Sequence, residues 1–121
     1  MRLLKSGDIS EESMQITVMD WVRLNDKLKG LVIHIPNEGR RSARYGRLLR
    51  DMGMLPGVFD FLITMQRHGY GCAWIELKSK SGIVSEHQKQ FKKNMEQQGY
   101  FTCICRSIED TIDMIKWYCF G

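Results

Sequence analysis

Apolar residues recur at helical spacing from Ser10 to about Leu28, with Met14, Val18, Trp21 or Val22, and Leu28 falling on one side of a 3.6-residue repeat. Ser10 offers a capping hydroxyl, and Glu11 and Glu12 place negative charge at the helix end that favours it. Gly30 closes this predicted helix. The pattern then shortens. Leu31-Val32-Ile33-His34-Ile35 suits a strand, Pro36-Asn37-Glu38-Gly39 a turn, and the basic segment holding Arg40, Arg41, Arg44, Arg47 and Arg50 is expected to begin as a loop and end as a helix near Gly53.

Gly57-Val58-Phe59-Asp60-Phe61-Leu62-Ile63 is a second strand candidate. A turn around Arg67-His68-Gly69-Tyr70-Gly71 leads into a third, Cys72 to Lys78, so the two read as an adjacent hairpin with their acidic residues near a common edge. Ser85 caps a helix running toward Gly99, and Gln88 completes a capping-box pattern. Tyr100 to Cys105 is a further strand, after which Ser107 caps a final helix with Ile108, Ile112, Ile115 and Trp117. The predicted order is αβαββαβα, an α/β arrangement in which helices flank a mixed sheet and share its core. The last helix fits either the core or a subunit contact, since both uses share one periodicity. No internal repeat or low-complexity tract interrupts the pattern.

The chain has 121 residues, 43% hydrophobic and 26% charged, with 2 prolines, which fits a single domain spanning 1–121. Lys and Arg total 18 against 14 Asp and Glu, for a formal charge of +4 and a pI near 9.0. That balance is compatible with a polyanionic partner without identifying one. The first residues lack the apolar core of a secretory signal and no stretch approaches a bilayer span, so the expected location is intracellular, without a membrane partner. Cys72, Cys103, Cys105 and Cys119 show no zinc-type spacing and are expected to be reduced, mostly structural thiols.

The sharpest chemical arrangement is Glu76-Leu77-Lys78. Side chains two apart on a strand share a face, so a carboxylate lies beside an ammonium while Ile75 and Leu77 point the other way. A salt bridge at a sheet edge would account for such a pair. The functional reading is that Glu76 binds a divalent cation while a protonated Lys78 orients water or stabilises charge on a phosphate. Asp60, in a hydrophobic strand, can approach Glu76 across the hairpin, and two hard oxygen donors suit Mg²⁺, with Mn²⁺ as a second candidate. Glu12 either adds a ligand or simply stabilises the helix terminus.

These residues together resemble the virus-type replication-repair nuclease family, VRR-NUC, of the PD-(D/E)xK superfamily. The likeness is carried by Glu12 with Gln15, the turn Asn37-Glu38-Gly39-Arg40, the glycine-bearing approach Gly53 to Asp60, the ExK strand Glu76-Leu77-Lys78, and Gly82 followed by Ser85-Glu86-His87-Gln88. Phe59 stands where the family commonly has proline. The resemblance implies a restriction-endonuclease-like mixed sheet, with Glu12, Asp60 and Glu76 as acidic metal-site residues. It further implies Lys78 as the catalytic lysine and Gln88 as a supporting polar residue. For Gln88 an ordinary capping role competes with the functional one.

The activity so implied is metal-dependent endonucleolytic hydrolysis of DNA, selective for structure and extending to branched or four-way junctions. A homodimer would present two sites to opposing strands, in replication, recombination or repair within a cell or, for a viral protein, its host's cytoplasm, including at the nucleoid. Arg40, Arg41, Arg44, Arg47 and Arg50, then Lys89, Lys92 and Lys93, are candidate phosphate contacts, while any one of them also suits a solvated face. Asn37 either arranges its turn or touches substrate. The competing classes are a non-catalytic nuclease-fold DNA-binding module and a structural dimer in a larger assembly. His34, His68 and His87 belong to no metal-ligand spacing. Met52, Met54 and Met65 are expected to fill irregular core.

Overall fold

The structure is a computed structural model and describes residues 9–36 and 42–121. Its elements are α1 (Glu11–Leu24), β1 (Val32–His34), α2 (Ala43–Asp51), β2 (Phe61–Ile63), β3 (Ala73–Leu77), α3 (Glu86–Gln97), β4 (Phe101–Cys105) and α4 (Ile108–Phe120). The predicted order is therefore observed. Serine begins every helix: Ser10, Ser42, Ser85 and Ser107 each accept a hydrogen bond from a backbone N–H three residues on.

The strands lie in the order β1-β2-β3-β4. β1 pairs antiparallel with β2 and β2 with β3, whereas β3 and β4 run parallel with α3 as the crossover. Alternation along the sheet separates two environments. Phe61 and Ile63 of β2 and Ala73, Ile75 and Leu77 of β3 join Met14, Val18 and Val22 of α1 and Ile115 and Tyr118 of α4 in one core. On the opposite face Phe91 of α3 meets Phe59 at a ring-centroid distance of 5.2 Å and Trp74 at 5.0 Å. Phe59 is completely buried. An aromatic ring thus anchors the chain before Asp60, where the family resemblance leads one to look for proline.

β2 is shorter than the predicted span from Gly57, because the chain turns first. Gly57 has φ +88°, and a Cβ there would collide with the His87 carbonyl and lie 2.8 Å from the Gln88 nitrogen. Glycine lets this segment press against the start of α3.

Of the two uses left open for the last helix, core packing is observed: α4 buries Thr111, Ile115, Tyr118 and Cys119, whereas α2 buries no residue at all. One packing expectation is corrected: Met52 is 73% exposed instead of filling the core, while Met65 is buried as expected. No helix among the described residues is long and apolar enough to cross a membrane.

Candidate active site

β2 and β3 carry the site because their register sets it. Phe61 opposes Ile75, so one step further out Asp60 stands across from Glu76, on the face away from the main core. Both are buried, at 1% and 0% exposure. The Asp60 N–H donates to Glu76 Oε1 at 3.2 Å, and the Leu77 N–H donates to Asp60 Oδ2 at 2.9 Å. Each acidic residue is thereby fixed by the other strand.

Lys78 follows β3 on the same face as Glu76, with its Nζ 3.4 Å from Glu76 Oε2 in a buried ion pair. Its own N–H is held by the Cys105 carbonyl at 2.8 Å. Gln88 both caps α3 and reaches Glu76. Its Oε1 accepts from the Ser85 N–H at 3.0 Å, completing the capping box, while its Nε2 donates to Glu76 Oε2 at 2.7 Å. The cap of α3 and the orientation of Glu76 are one hydrogen-bonded unit.

The polar accounting of this cluster does not close. Asp60 Oδ1 is buried and has no hydrogen-bond donor among the described residues, and on α1 the buried Gln15 Nε2 has no acceptor among them. Burial pushes the Asp60 carboxyl above its ordinary value of 3.8, opposed by the Leu77 N–H, by hydrogen bonding with Glu76 and by nearby His34. His34 also holds the main chain at this point: its Nδ1 lies 3.0 Å from the Asp60 carbonyl, which accepts the Ile35 N–H at 2.7 Å as well. A carbonyl can only accept, so Nδ1 is the protonated nitrogen of His34.

The two acidic residues at the start of α1 are placed differently. Glu12 is exposed, whereas Glu11 is half-buried and its Oε1 accepts the Ser79 N–H at 3.1 Å, just beyond Lys78. The signal for this was in the apolar stripe: Glu11 is three residues before Met14 and four before Gln15, both buried, and Glu12 is off that face. Among the described residues no three His, Cys, Asp or Glu side chains come together as a metal-holding group. Arg106 is a further residue the sequence did not indicate. Its Nη1 donates to the Ser79 carbonyl at 3.0 Å and the Gly82 carbonyl at 2.7 Å, clamping the turn after Lys78.

The basic candidates divide by element. Arg44, Arg47 and Arg50 are exposed on one side of α2, opposite an apolar stripe of Tyr45, Leu48, Leu49 and Met52. On α3, Lys89 pairs with Glu86 at 3.2 Å and Lys92 with Glu96 at 2.7 Å, leaving Lys93 as the exposed lysine of this helix without an ion pair among the described residues. Asn37, Arg40 and Arg41 lie outside the described residues. His87 is exposed, and Trp74 packs edge-on against Phe91.

No protein-family model matches the chain, and no curated protein matches it. A solved structure described as a VRR_NUC domain protein does, with a TM-score of 0.75 and 23% sequence identity over 91% of this chain and 88% of that one. The similarity shows the fold: the mixed sheet flanked by helices expected from the sequence is shared with a VRR_NUC domain protein.

Proposed function

We propose that this chain is a metal-dependent DNA endonuclease of the VRR-NUC kind, its 121 residues forming one nuclease domain. The observation that carries the reading is the buried pair Asp60 and Glu76, joined by Lys78 at 3.4 Å and Gln88 at 2.7 Å, on a fold shared with a VRR_NUC domain protein. A salt bridge serving stability alone would not need a second buried carboxyl with one oxygen lacking any donor.

The donor set suits a hard divalent cation, because it consists of carboxylate oxygens of which one, Asp60 Oδ1, is buried without a donor. Asp60 and Glu76 would hold Mg²⁺ or Mn²⁺, and Glu11, instead of Glu12, is the α1 carboxylate directed to this end of the sheet. Such a cation, when bound, supplies Lewis-acid polarisation of the phosphate and activation of water. Lys78 presents positive charge where the pentavalent phosphorus develops negative charge, and it orients the nucleophile. Gln88 keeps the Glu76 carboxylate turned toward the cleft, while the Leu77 N–H fixes Asp60. Arg44, Arg47, Arg50 and Lys93, with Asn37, Arg40, Arg41 and the paired Lys89 and Lys92, contact phosphates without reading bases.

We assign the homodimer to the apolar stripe of α2 and its C-cap, where Tyr45 is 53%, Leu48 51% and Met52 73% exposed and Leu49 half-buried, and where no helix residue is buried by the described residues. A two-fold pairing of that stripe leaves its arginines outward and presents two sites to opposing strands of branched DNA, including four-way junctions. Its setting would be DNA replication, recombination or repair inside a cell or a host.

Cleavage of linear, flap and four-way DNA by purified protein, with Mg²⁺, with Mn²⁺ and with chelator, tests the reading. The expected result is cation-dependent cleavage, strongest on the branched forms and lost in folded Glu76→Ala and Lys78→Ala. DNA binding without cleavage under every cation condition would overturn it in favour of a non-catalytic module.

A further inference from the structure

The four cysteines are not equivalent. Cys105 and Cys119 are buried, while Cys72 and Cys103 are half-buried. Of the two half-buried cysteines, Cys103 lies against a second thiol: its Sγ is 3.7 Å from Cys105 Sγ, within hydrogen-bonding reach, on the same face of the edge strand β4. We propose that Cys103 is a nucleophilic thiol and a covalent modification site for low-molecular-weight disulfides, with Cys105 as the S–H donor that holds its thiolate.

A thiolate accepts a hydrogen bond far better than a thiol, so two sulfurs in contact favour one anion and one donor over two thiols. The anion falls on Cys103, because water reaches it and Cys105 is only 5% exposed. Lys92 of α3 adds positive charge to that choice, and Asp110 of α4 opposes it. The groove in front of the pair is lined by Arg106, Asp110, Asp113 and Met114. Hydrogen bonding from Cys105 brings the Cys103 thiol from 9.0 down to about 7, whereas the same contact together with burial pushes Cys105 up. Burial raises Cys72 and Cys119 as well, so these three stay protonated near neutrality.

The reaction is thiol–disulfide exchange. The Cys103 thiolate attacks one sulfur of the incoming disulfide, a new S–S bond joins Cys103 to half of it, and the other half departs as a thiolate that takes a proton from water. No further oxidant is required. The product stops at the mixed disulfide, because neighbours two apart on a strand are separated by about 6.6 Å with parallel Cβ directions, and a disulfide needs Cβ atoms about 4 Å apart. At pH 7 a pKa of about 7 gives roughly fiftyfold more thiolate than a value of 9.0. Lower intrinsic nucleophilicity takes back about tenfold of this, leaving a net advantage of about fivefold over an ordinary thiol.

The test is incubation of the intact protein with oxidised glutathione at pH 7, followed by intact mass and peptide mapping, with Cys72 as internal reference. The expected result is a single glutathionyl adduct on Cys103, forming at least about fivefold faster than any on Cys72. The pH profile of iodoacetamide alkylation at Cys103 should have its inflection near 7. Cys105→Ala should move that inflection upward and erase the advantage, while Cys105→Ser, which keeps a donor, should retain most of it. Equal rates at Cys72 and Cys103, an unmoved inflection in Cys105→Ala, or loss of two hydrogens without an adduct would each overturn the proposal. None of these readouts depends on nuclease activity.

Discussion

The β2–β3 hairpin carries polar side chains at both of its ends, and the two ends treat them differently. At the turn end, Arg67 Nε donates to the Cys119 carbonyl at 3.2 Å, and His68 Nε2 reaches the Trp117 and Tyr118 carbonyls, both at 3.1 Å. The Tyr118 and Cys119 carbonyls belong to the last turn of α4, which leaves them without helical partners, while the Trp117 carbonyl also accepts the Gly121 N–H at 2.8 Å. His68 takes a φ of 54° to get there and stacks on Trp117 with ring centroids 4.3 Å apart. Tyr118 Oη closes the set by donating to the Met65 carbonyl at 2.8 Å. At the strand end, Asp60 and Glu76 are more deeply buried, yet Asp60 Oδ1 has no donor and two carboxyls face each other. The turn end spends its polar groups on holding α4. The strand end keeps an arrangement that costs stability, and such strain is expected where a protein must bind a cation and phosphate.

The largest effect expected from breaking this contrast is catalytic. Glu76→Gln keeps the shape of the side chain and removes its charge, so cleavage should fall by about 10³-fold with the fold retained, measured as single-turnover rates on a labelled four-way substrate. Next comes Gly57→Ala, which forces a Cβ into the His87 carbonyl at a φ of +88°. A cost of about 3 kcal/mol in urea unfolding is expected, together with lost activity, because α3 carries Gln88.

Asp60→Asn should act in the opposite direction on stability. The amide can accept from the Leu77 N–H and donate toward Glu76, so the cation-free variant should be more stable by about 1–3 kcal/mol while cleavage is abolished. The sign with pH follows from the raised carboxyl. Below 3.8 Asp60 is neutral in both states, and its contribution is complete; as pH climbs through the raised folded value, that contribution is lost. The gain from Asp60→Asn should therefore be larger at pH 7 than at pH 4 in matched denaturation curves. The smallest effect is at the turn end, where His68→Ala should cost about 1 kcal/mol and leave the cleavage rate per folded molecule unchanged.

Much of this was legible in the chain. Three of the four capping serines, the glycine punctuation and the switch from helical to strand periodicity gave the element order, because these signals are local. Asp60, Glu76 and Lys78 could be joined from sequence since a hairpin register and a two-residue strand spacing are enough to place them on one face. The contact of Glu11 with the Ser79 N–H was not legible, because adjacent helical residues differ by about 100° in direction and the pattern alone did not single out which of Glu11 and Glu12 faces the sheet. The double use of Gln88, the His34 bond to the Asp60 carbonyl and the clamp by Arg106 depend on contacts across distant segments, which no local pattern encodes. The apolar side of α2, with Tyr45, Leu48 and Leu49, was masked by arginines that share the same nine residues.

The central claim is that the strand end of the hairpin is completed by a divalent cation held through Asp60 and Glu76. Thermal unfolding of the wild type and Asp60→Asn, each with chelator and across a Mg²⁺ titration, measures this directly. The wild type should gain about 2.7 kcal/mol, a shift of several degrees, when Mg²⁺ reaches about a hundred times its dissociation constant. Asp60→Asn should begin higher and respond little. An equal Mg²⁺ shift in both proteins, or none in the wild type, would contradict the account.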